Sequence, residues 1–545
     1  EEDFLALYDV VEGLGEGSMG MVCIVRRKKG FNRSLPNAPF ESDPDRLFAM
    51  KTIHIGRVPK SDVRALRNEI EVLKQLDHPK IIHLYEVLYS KRRIYLVMEL
   101  CRGGHLSKSG CRKFTEARAC FVFKQILQGL AYLHGQSISH NDVKAENVVF
   151  VDRRVYSDVR LIDFGLSQKY VGEYFRRVCG TYYTMAPEVY FSTEAGGYGL
   201  QADMWSAGVL LYIMLAKGQF PFLESSEQLV DDILVERWRT AKYLFDPVTW
   251  QGVSHEAREL VARLLKRLPT TRATAKEALT YLQDVWEPIF PKDEDGYILK
   301  EKMLLREPSG EEESIIMSPQ NSVEDLTPLR EGDSKTELLN QGVLEPMLKS
   351  MRDYASYSEL KKKILLVVAH NLDRNKLKKM ARDFVAFDRD GEGTIDFAEF
   401  QKALESHNME NEELKRIFEA VDMDHTGRIR YNEFLAASVE ALEFREDAAL
   451  QDAFDRMDSD NSGYISCQNL RDILGSDRSD GEVRAMIEEV GGTSAKGIDY
   501  EHFLSFMREK RREETRAEIP LMKRMDSESD VSVNDPIAES GRLQD

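Results

Sequence analysis

Gly15, Gly17 and Gly20, followed by Val22, form a G-x-G-x-x-G-x-V segment near the start of the chain. Glycines let a backbone approach a polyphosphate, and a strand after the loop, rather than a helix, sets it apart from dinucleotide-binding turns. Lys51, in Ala49-Met50-Lys51, supplies an ammonium for the α and β phosphates of a nucleotide. Val63, Leu66, Ile70 and Leu73 recur at helical spacing, which places Glu69 on a helix from which its carboxylate pairs with Lys51. His140-Asn141-Asp142-Val143-Lys144-Ala145-Glu146-Asn147 and Asp163-Phe164-Gly165 complete a set suited to phosphoryl transfer. In that chemistry Asp142 accepts the hydrogen of an attacking hydroxyl, while Asn147 and Asp163 hold magnesium ions that neutralise the transferring group.

A second set begins far downstream. The pattern D-x-[DN]-x-[DN]-G-x5-E surrounds a hard cation with oxygens, its glycine allowing a sharp turn and its final glutamate binding through both oxygens. The first loop offers Asp388, Asp390, Glu392, the Thr394 carbonyl, Asp396 and Glu399 around Gly393. The second offers Asp422, Asp424, Thr426, the Arg428 carbonyl and Glu433, with Arg430 at a position often filled through water, and is expected to bind calcium more weakly. The third starts with Asp458, Asp460, Ser462 and the Tyr464 carbonyl, yet its twelfth position is Asn469, which cannot bind as a bidentate carboxylate. A fourth aligns only through Ile498-Asp499-Tyr500 and Phe503, and reads as a structural pairing partner without calcium. The calcium response is therefore expected mainly from the first pair.

Elements must position both sets. Strand-like segments at 8–14, 21–26 and 47–53 predict a small β lobe, and helical patterns at 117–133 and 201–216 a larger helical one. An extended surface loop fills 28–46. The expected organisation is a catalytic unit over 1–287, an acidic insert over 288–341, a junction over 342–372, a helix-loop-helix sensor over 373–507 and a charged tail over 508–545. Within the junction, Leu360, Ile364 and Val367 share a face beside Lys361-Lys362-Lys363, the pattern of a target for an apolar groove opened by calcium.

Bulk properties exclude several classes. A net charge of −18 argues against general nucleic-acid affinity and fits carboxylate loops that gather cations. Six cysteines without paired spacing indicate neither a disulfide framework nor a zinc site, and point to a reducing, cytoplasmic setting. No apolar run approaches the roughly 20 residues of a membrane-spanning helix. The sequence opens at Glu1 without a methionine, so membrane association is expected only through a lipidation signal absent from it.

The first set resembles the protein-kinase signatures, the catalytic-loop segment standing where HRDLKPEN is usual. That resemblance implies that Lys144 belongs to the serine/threonine pattern, that Thr181 braces Asp142 and Lys144, and that Met98 is a gatekeeper followed by an adenine-contacting hinge, Glu99, Leu100 and Cys101. Arg272 is expected to pair with Glu188. With the calcium loops included, residues 1 to about 507 resemble the calcium-dependent protein kinases of plants and protists. The implied architecture is an α+β two-lobed kinase fold joined to an all-α EF-hand domain resembling calmodulin. The implied function is a monomeric kinase using ATP, Mg2+ and Ca2+, acting on serine and threonine of protein substrates, held off by its junction and released when calcium binding rearranges its own EF-hands.

Three positions and one segment of the catalytic unit depart from the family pattern. Asn141 stands where an arginine commonly binds an activation-loop phosphate, and no serine or threonine lies between Ser167 and Thr181 to carry one. Both changes predict a switch independent of loop phosphorylation. His105 replaces a glutamate that often contacts a basic substrate residue, and Thr184 replaces an expected tyrosine. Asn141 and Thr184 support a competing reading, a catalytically silent calcium-sensing scaffold; Lys51, Asp142, Asn147 and Asp163 support the enzyme.

Overall fold

The computed structural model describes residues 7–17, 20–28, 46–57, 63–107, 114–222, 232–290, 341–372, 374, 377–407, 409–439, 447–460, 462–474, 479–492 and 496–508. The surface loop, the acidic insert and the charged tail expected from the sequence fall almost wholly outside the described residues.

Five strands, β1 (Tyr8–Gly17), β2 (Gly20–Arg27), β3 (Leu47–His54), β4 (Leu84–Tyr89) and β5 (Arg93–Met98), form an antiparallel sheet in the order β1-β2-β3-β5-β4. Side chains alternate across a strand, so β3 turns Phe48 and Met50 into one apolar cluster with Tyr8, Val25 and Val97. Lys51 faces the other side, opposite Val22 on β2 and Leu96 on β5. The helix Val63–Gln75 covers that side, burying Leu66, Ile70 and Leu73 against Ile53 and Leu96 in the main core.

The larger lobe is built on two long helices. Glu116–Gly135 starts at Thr115, whose hydroxyl accepts from the Arg118 amide, and is buried along most of its length. Gln201–Leu215 is buried on nearly every side, so its polar Asp203 and Ser206 must find partners inside the lobe. Short strands Val148–Phe150 and Val159–Leu161 pair and flank the catalytic segments, while Ile138–Ser139 pairs with Gln168–Lys169.

The sensor repeats helix-loop-helix units. Helices Lys378–Phe387 and Phe397–Ala403 enclose the first calcium loop, Asn411–Val421 and Tyr431–Ser438 the second, and the two loops pair through Thr394–Asp396 and Arg428–Arg430. A bridge between Ile465 and Ile498 joins the third loop to the fourth. Gly393, Gly427 and Gly463 all have φ between +76° and +83°, the left-handed turn that the loop pattern demands of glycine.

The junction differs from the single stretch expected. It forms two helices, Gln341–Ala355 and Glu359–Asn371, because the Ser358 hydroxyl caps a new start by accepting from the Lys361 amide. Leu360, Ile364, Leu365, Val368 and Ala369 are buried, and Val367 sits at the margin. Lys361 is buried too, its ammonium 4.0 Å from the centre of the Tyr357 ring. Both helices pack into the sensor: Ser350 donates to the Ala437 carbonyl, Tyr354 to the Met423 sulfur, and Lys362 to the Ala420 carbonyl.

Candidate active site and calcium sites

The catalytic loop is hung from a buried carboxylate. Asp203 accepts the backbone amides of His140 and Asn141, each at 2.8 Å, and the ring of His134 at 2.9 Å. These contacts hold its pKa below the usual carboxylate range against the penalty of burial. Asn141 takes a left-handed backbone, φ 63°, which asparagine tolerates better than most residues. Asp142 is thereby placed with its carboxylate held by three neighbours: Thr181 Oγ1 at 2.7 Å, Lys144 Nζ at 2.8 Å and Asn147 Nδ2 at 2.9 Å. Lys144 also donates to Thr181, which ties the catalytic loop to the end of the activation segment.

Asp163 also has positive φ, 64°, and its carboxylate lies 3.6 Å from Lys51 while remaining half exposed. Phe164 behind it is fully buried beside the His140 ring, whose Nε2 meets the Ile162 carbonyl at 3.1 Å. Lys51, Asp142, Asn147 and Asp163 thus converge between the lobes. Glu69 lies on the predicted helix, with its side chain outside the described residues.

The glycine loop divides its labour. A Cβ at Gly20 would collide with the Thr52 carbonyl, so glycine is required there by the neighbouring strand. A Cβ at Gly15 would meet nothing within 4 Å, which leaves space beside the backbone for a phosphate. Gly17 and Gly20 face each other across the hairpin, and Val22 pairs with Lys51. Met98 ends β5, and the carboxylate of Glu99 after it is buried in a two-pronged pair with Arg160, both bonds 2.9 Å. Burial pushes the Cys101 thiol up, with the nearby Glu99 charge adding to it.

The departing positions have specific partners. Asn141 Nδ2 donates to the Leu166 carbonyl, and the Ser139 hydroxyl donates to Asn141 Oδ1 at 2.7 Å. His105 Nδ1 meets the Glu146 carbonyl at 2.6 Å. Thr184 is buried, its hydroxyl donating to the Thr181 carbonyl and its own carbonyl accepting from Ser206. Glu188 and Arg272 form a buried two-pronged pair at 2.6 and 3.1 Å.

In the sensor, ligand oxygens of Asp388, Asp390 and Glu399 lie within 4.8 Å of one another, as do those of Asp422, Asp424 and Glu433. Asp388 Oδ1 is buried with no hydrogen-bond partner, and burial together with the Glu399 charge raises its acid well above the usual range. Burial pushes Glu433 up to about 7, with Asp424 and Asp422 adding to it. Crowded, under-partnered carboxylates of this kind fit a divalent cation bound through oxygen. Glu392 stands apart from the first cluster. Asp396 holds the start of the exit helix, accepting from the Glu399 amide at 2.8 Å. Thr426 and Ser462 occupy corresponding turns, their amides accepted by Asp422 and Asp458 at 3.0 and 2.9 Å. Among the described residues Asp458 and Asp460 gain no third carboxylate: Asn469 spends its oxygen on Ser466 and its amide on Ser459, and the Tyr464 carbonyl accepts from Ser462.

One group of residues escaped the sequence reading. Arg374 Nη2 contacts the His83 ring at 3.2 Å and donates to Asn432 Oδ1 at 2.6 Å, and it lies 3.7 Å from Asp77. The Asn432 amide donates to Asp77, and His83 Nε2 meets the His370 carbonyl. Arg46 donates to the Asn371 carbonyl and Lys378 to Asp152. Together these contacts dock the sensor on the kinase lobes through the segment 77–85 and its surroundings, and among the described residues they involve none of Lys51, Asp142, Asn147 and Asp163. No local pattern marks them, since they meet only across the folded chain.

A bilobed fold with this catalytic constellation defines a protein kinase, here fused to EF-hands. The model of the protein kinase domain matches residues 8–282, that of an EF-hand domain pair 377–438, and that of an EF hand 450–468. Calcium-dependent protein kinase 3 of Plasmodium berghei is 30% identical over 467 residues, covering 83% of this chain and 74% of the relative. Calcium-dependent protein kinase 5 of Plasmodium falciparum is 27% identical, with 91% and 76% covered, and calcium-dependent protein kinase 17 of Arabidopsis thaliana 28%, with 93% and 84% covered. The chain belongs to the calcium-dependent protein kinase family.

Proposed function

We propose that the chain transfers the γ-phosphoryl group of ATP to serine and threonine hydroxyls of proteins, and does so when calcium occupies its EF-hands. The bracing of Asp142 by Thr181, Lys144 and Asn147 carries the reading, because it presents a carboxylate ready to take a hydroxyl hydrogen. Lys51 and the space beside Gly15 hold the nucleotide phosphates, and backbone at Glu99 and Cys101 holds the adenine. Magnesium, held by Asn147 and Asp163, supplies neutralising charge for the transferring group. Lys144 stands beside Asp142 and places its charge where the phosphoryl group arrives.

The first two EF-hands take calcium through their carboxylate clusters, the third more weakly, and the fourth serves as its structural mate. In the arrangement described, both junction helices are held by the sensor, which supports a cycle in which the junction blocks the kinase until calcium draws it away. The chain acts as a monomer without nucleic acid. Among the described residues no helix is long and apolar enough to cross a membrane. The test is transfer of labelled phosphate to a generic protein substrate, with calcium or a chelator. Calcium-dependent transfer lost in Asp142→Asn supports the kinase; calcium binding without transfer by the parent chain supports the silent scaffold.

A further inference from the structure

The first calcium loop is pressed against the kinase large lobe. A Cβ at Gly391 would strike Leu279, and one at Gly393 would strike Tyr132 and His78, so two loop glycines form part of the docking face. At its edge Lys276, on the helix Ala275–Tyr281, donates to Asp390 Oδ2 at 2.8 Å and to Glu392 Oε1 at 3.1 Å. The other oxygen of Glu392 accepts from Arg428 at 2.6 Å. Each oxygen of the fifth ligand position is therefore held by a protein cation, and Glu392 is missing from the cluster formed by Asp388, Asp390 and Glu399.

We infer that Lys276 competes with calcium for the first loop, so that docking of the sensor on the large lobe lowers that loop's calcium affinity. The inference rests on the reading of this loop as a calcium site. To bind calcium with its full set of oxygens the loop must reclaim Glu392 from Lys276 and Arg428, and the ion then brings two positive charges beside the lysine. Linkage makes the effect reciprocal: calcium in the first loop weakens the Lys276 contact by the same factor that the contact weakens calcium binding. The contact lies on the kinase rather than within the sensor, so it reports docking directly to one loop. Lys276 is half exposed and solvent screens its charge, which sets the effect at about two- to fivefold in affinity.

Calorimetric calcium titration of the full chain, in a Glu433→Gln, Asp458→Ala background that silences the second and third loops, isolates the first. Lys276→Met is expected to tighten binding about two- to fivefold, and Lys276→Arg to leave it near the parent value. Unchanged or weaker binding in Lys276→Met overturns the competition while leaving the calcium site standing. A parent background that takes up no calcium overturns both.

Discussion

The side-chain amide of Asn141 donates to the carbonyl oxygen of Leu166 at 2.9 Å, fastening the catalytic loop to the residue after the Asp163-Phe164-Gly165 turn. In kinases that carry an arginine at this position, a phosphate on the activation segment commonly serves as its partner. Here an uncharged side chain makes a tie that needs no phosphate, and the neighbouring Ser139 hydroxyl fixes its orientation.

Removing that tie should slow transfer without loosening the nucleotide. One hydrogen bond of about 0.5–1.5 kcal/mol corresponds to roughly a two- to twelvefold fall in kcat for Asn141→Ala. Asn141→Asp keeps an acceptor for Ser139 but loses the donor to Leu166, so it should be at least as slow. Steady-state kinetics should show KM for ATP near the parent value in both, and phosphatase treatment should leave parent activity intact.

The docking network predicts a second effect. Arg374 is almost fully buried among His83, Asp77 and Asn432. Truncating a buried charged partner typically costs about 3–5 kcal/mol. Arg374→Ala should therefore release the sensor from the kinase, read as faster hydrogen exchange at the Asn432 amide, which donates to Asp77. Protection at the Ile429 amide, inside the paired calcium loops, should persist.

Acidification should act at the same interface. Burial, with Arg374 and Arg456 nearby, lowers His370 from the ordinary 6.5 to about 4, and His83 is shifted in the same direction. A histidine kept neutral by docking binds fewer protons docked than free, so docking is strongest above about pH 6.5 and weakens as pH falls toward 4. Small-angle scattering at pH 7.5 and 5.5 should show expansion at the lower pH, and His370→Gln should reduce that dependence.

Much of the catalytic site was legible because its chemistry fixes residue types at fixed intervals: Asp142, Lys144 and Asn147 lie on one short loop, and Asp163-Phe164-Gly165 on one turn. The calcium loops were legible for the same reason, down to the substitution at Asn469. The junction was only half legible. Its apolar spacing was visible, but nothing in that spacing marked Lys361 as buried, which its long stem allows with the ammonium over Tyr357. Ser358 was the overlooked signal, a capping residue that splits the stretch in two. Docking was not legible at all. His83 and Arg374 are 291 residues apart, and neither belongs to a pattern with a local period.

The central claim is a kinase driven by a lopsided sensor, and calcium titration of phosphate transfer tests it most directly. Three chains suffice: the parent, Glu399→Gln combined with Glu433→Gln, and Asp458→Ala. The account predicts activation by calcium in the parent, near-complete loss in the double variant, and retained activation in Asp458→Ala. Retained activation in the double variant with loss in Asp458→Ala would contradict it.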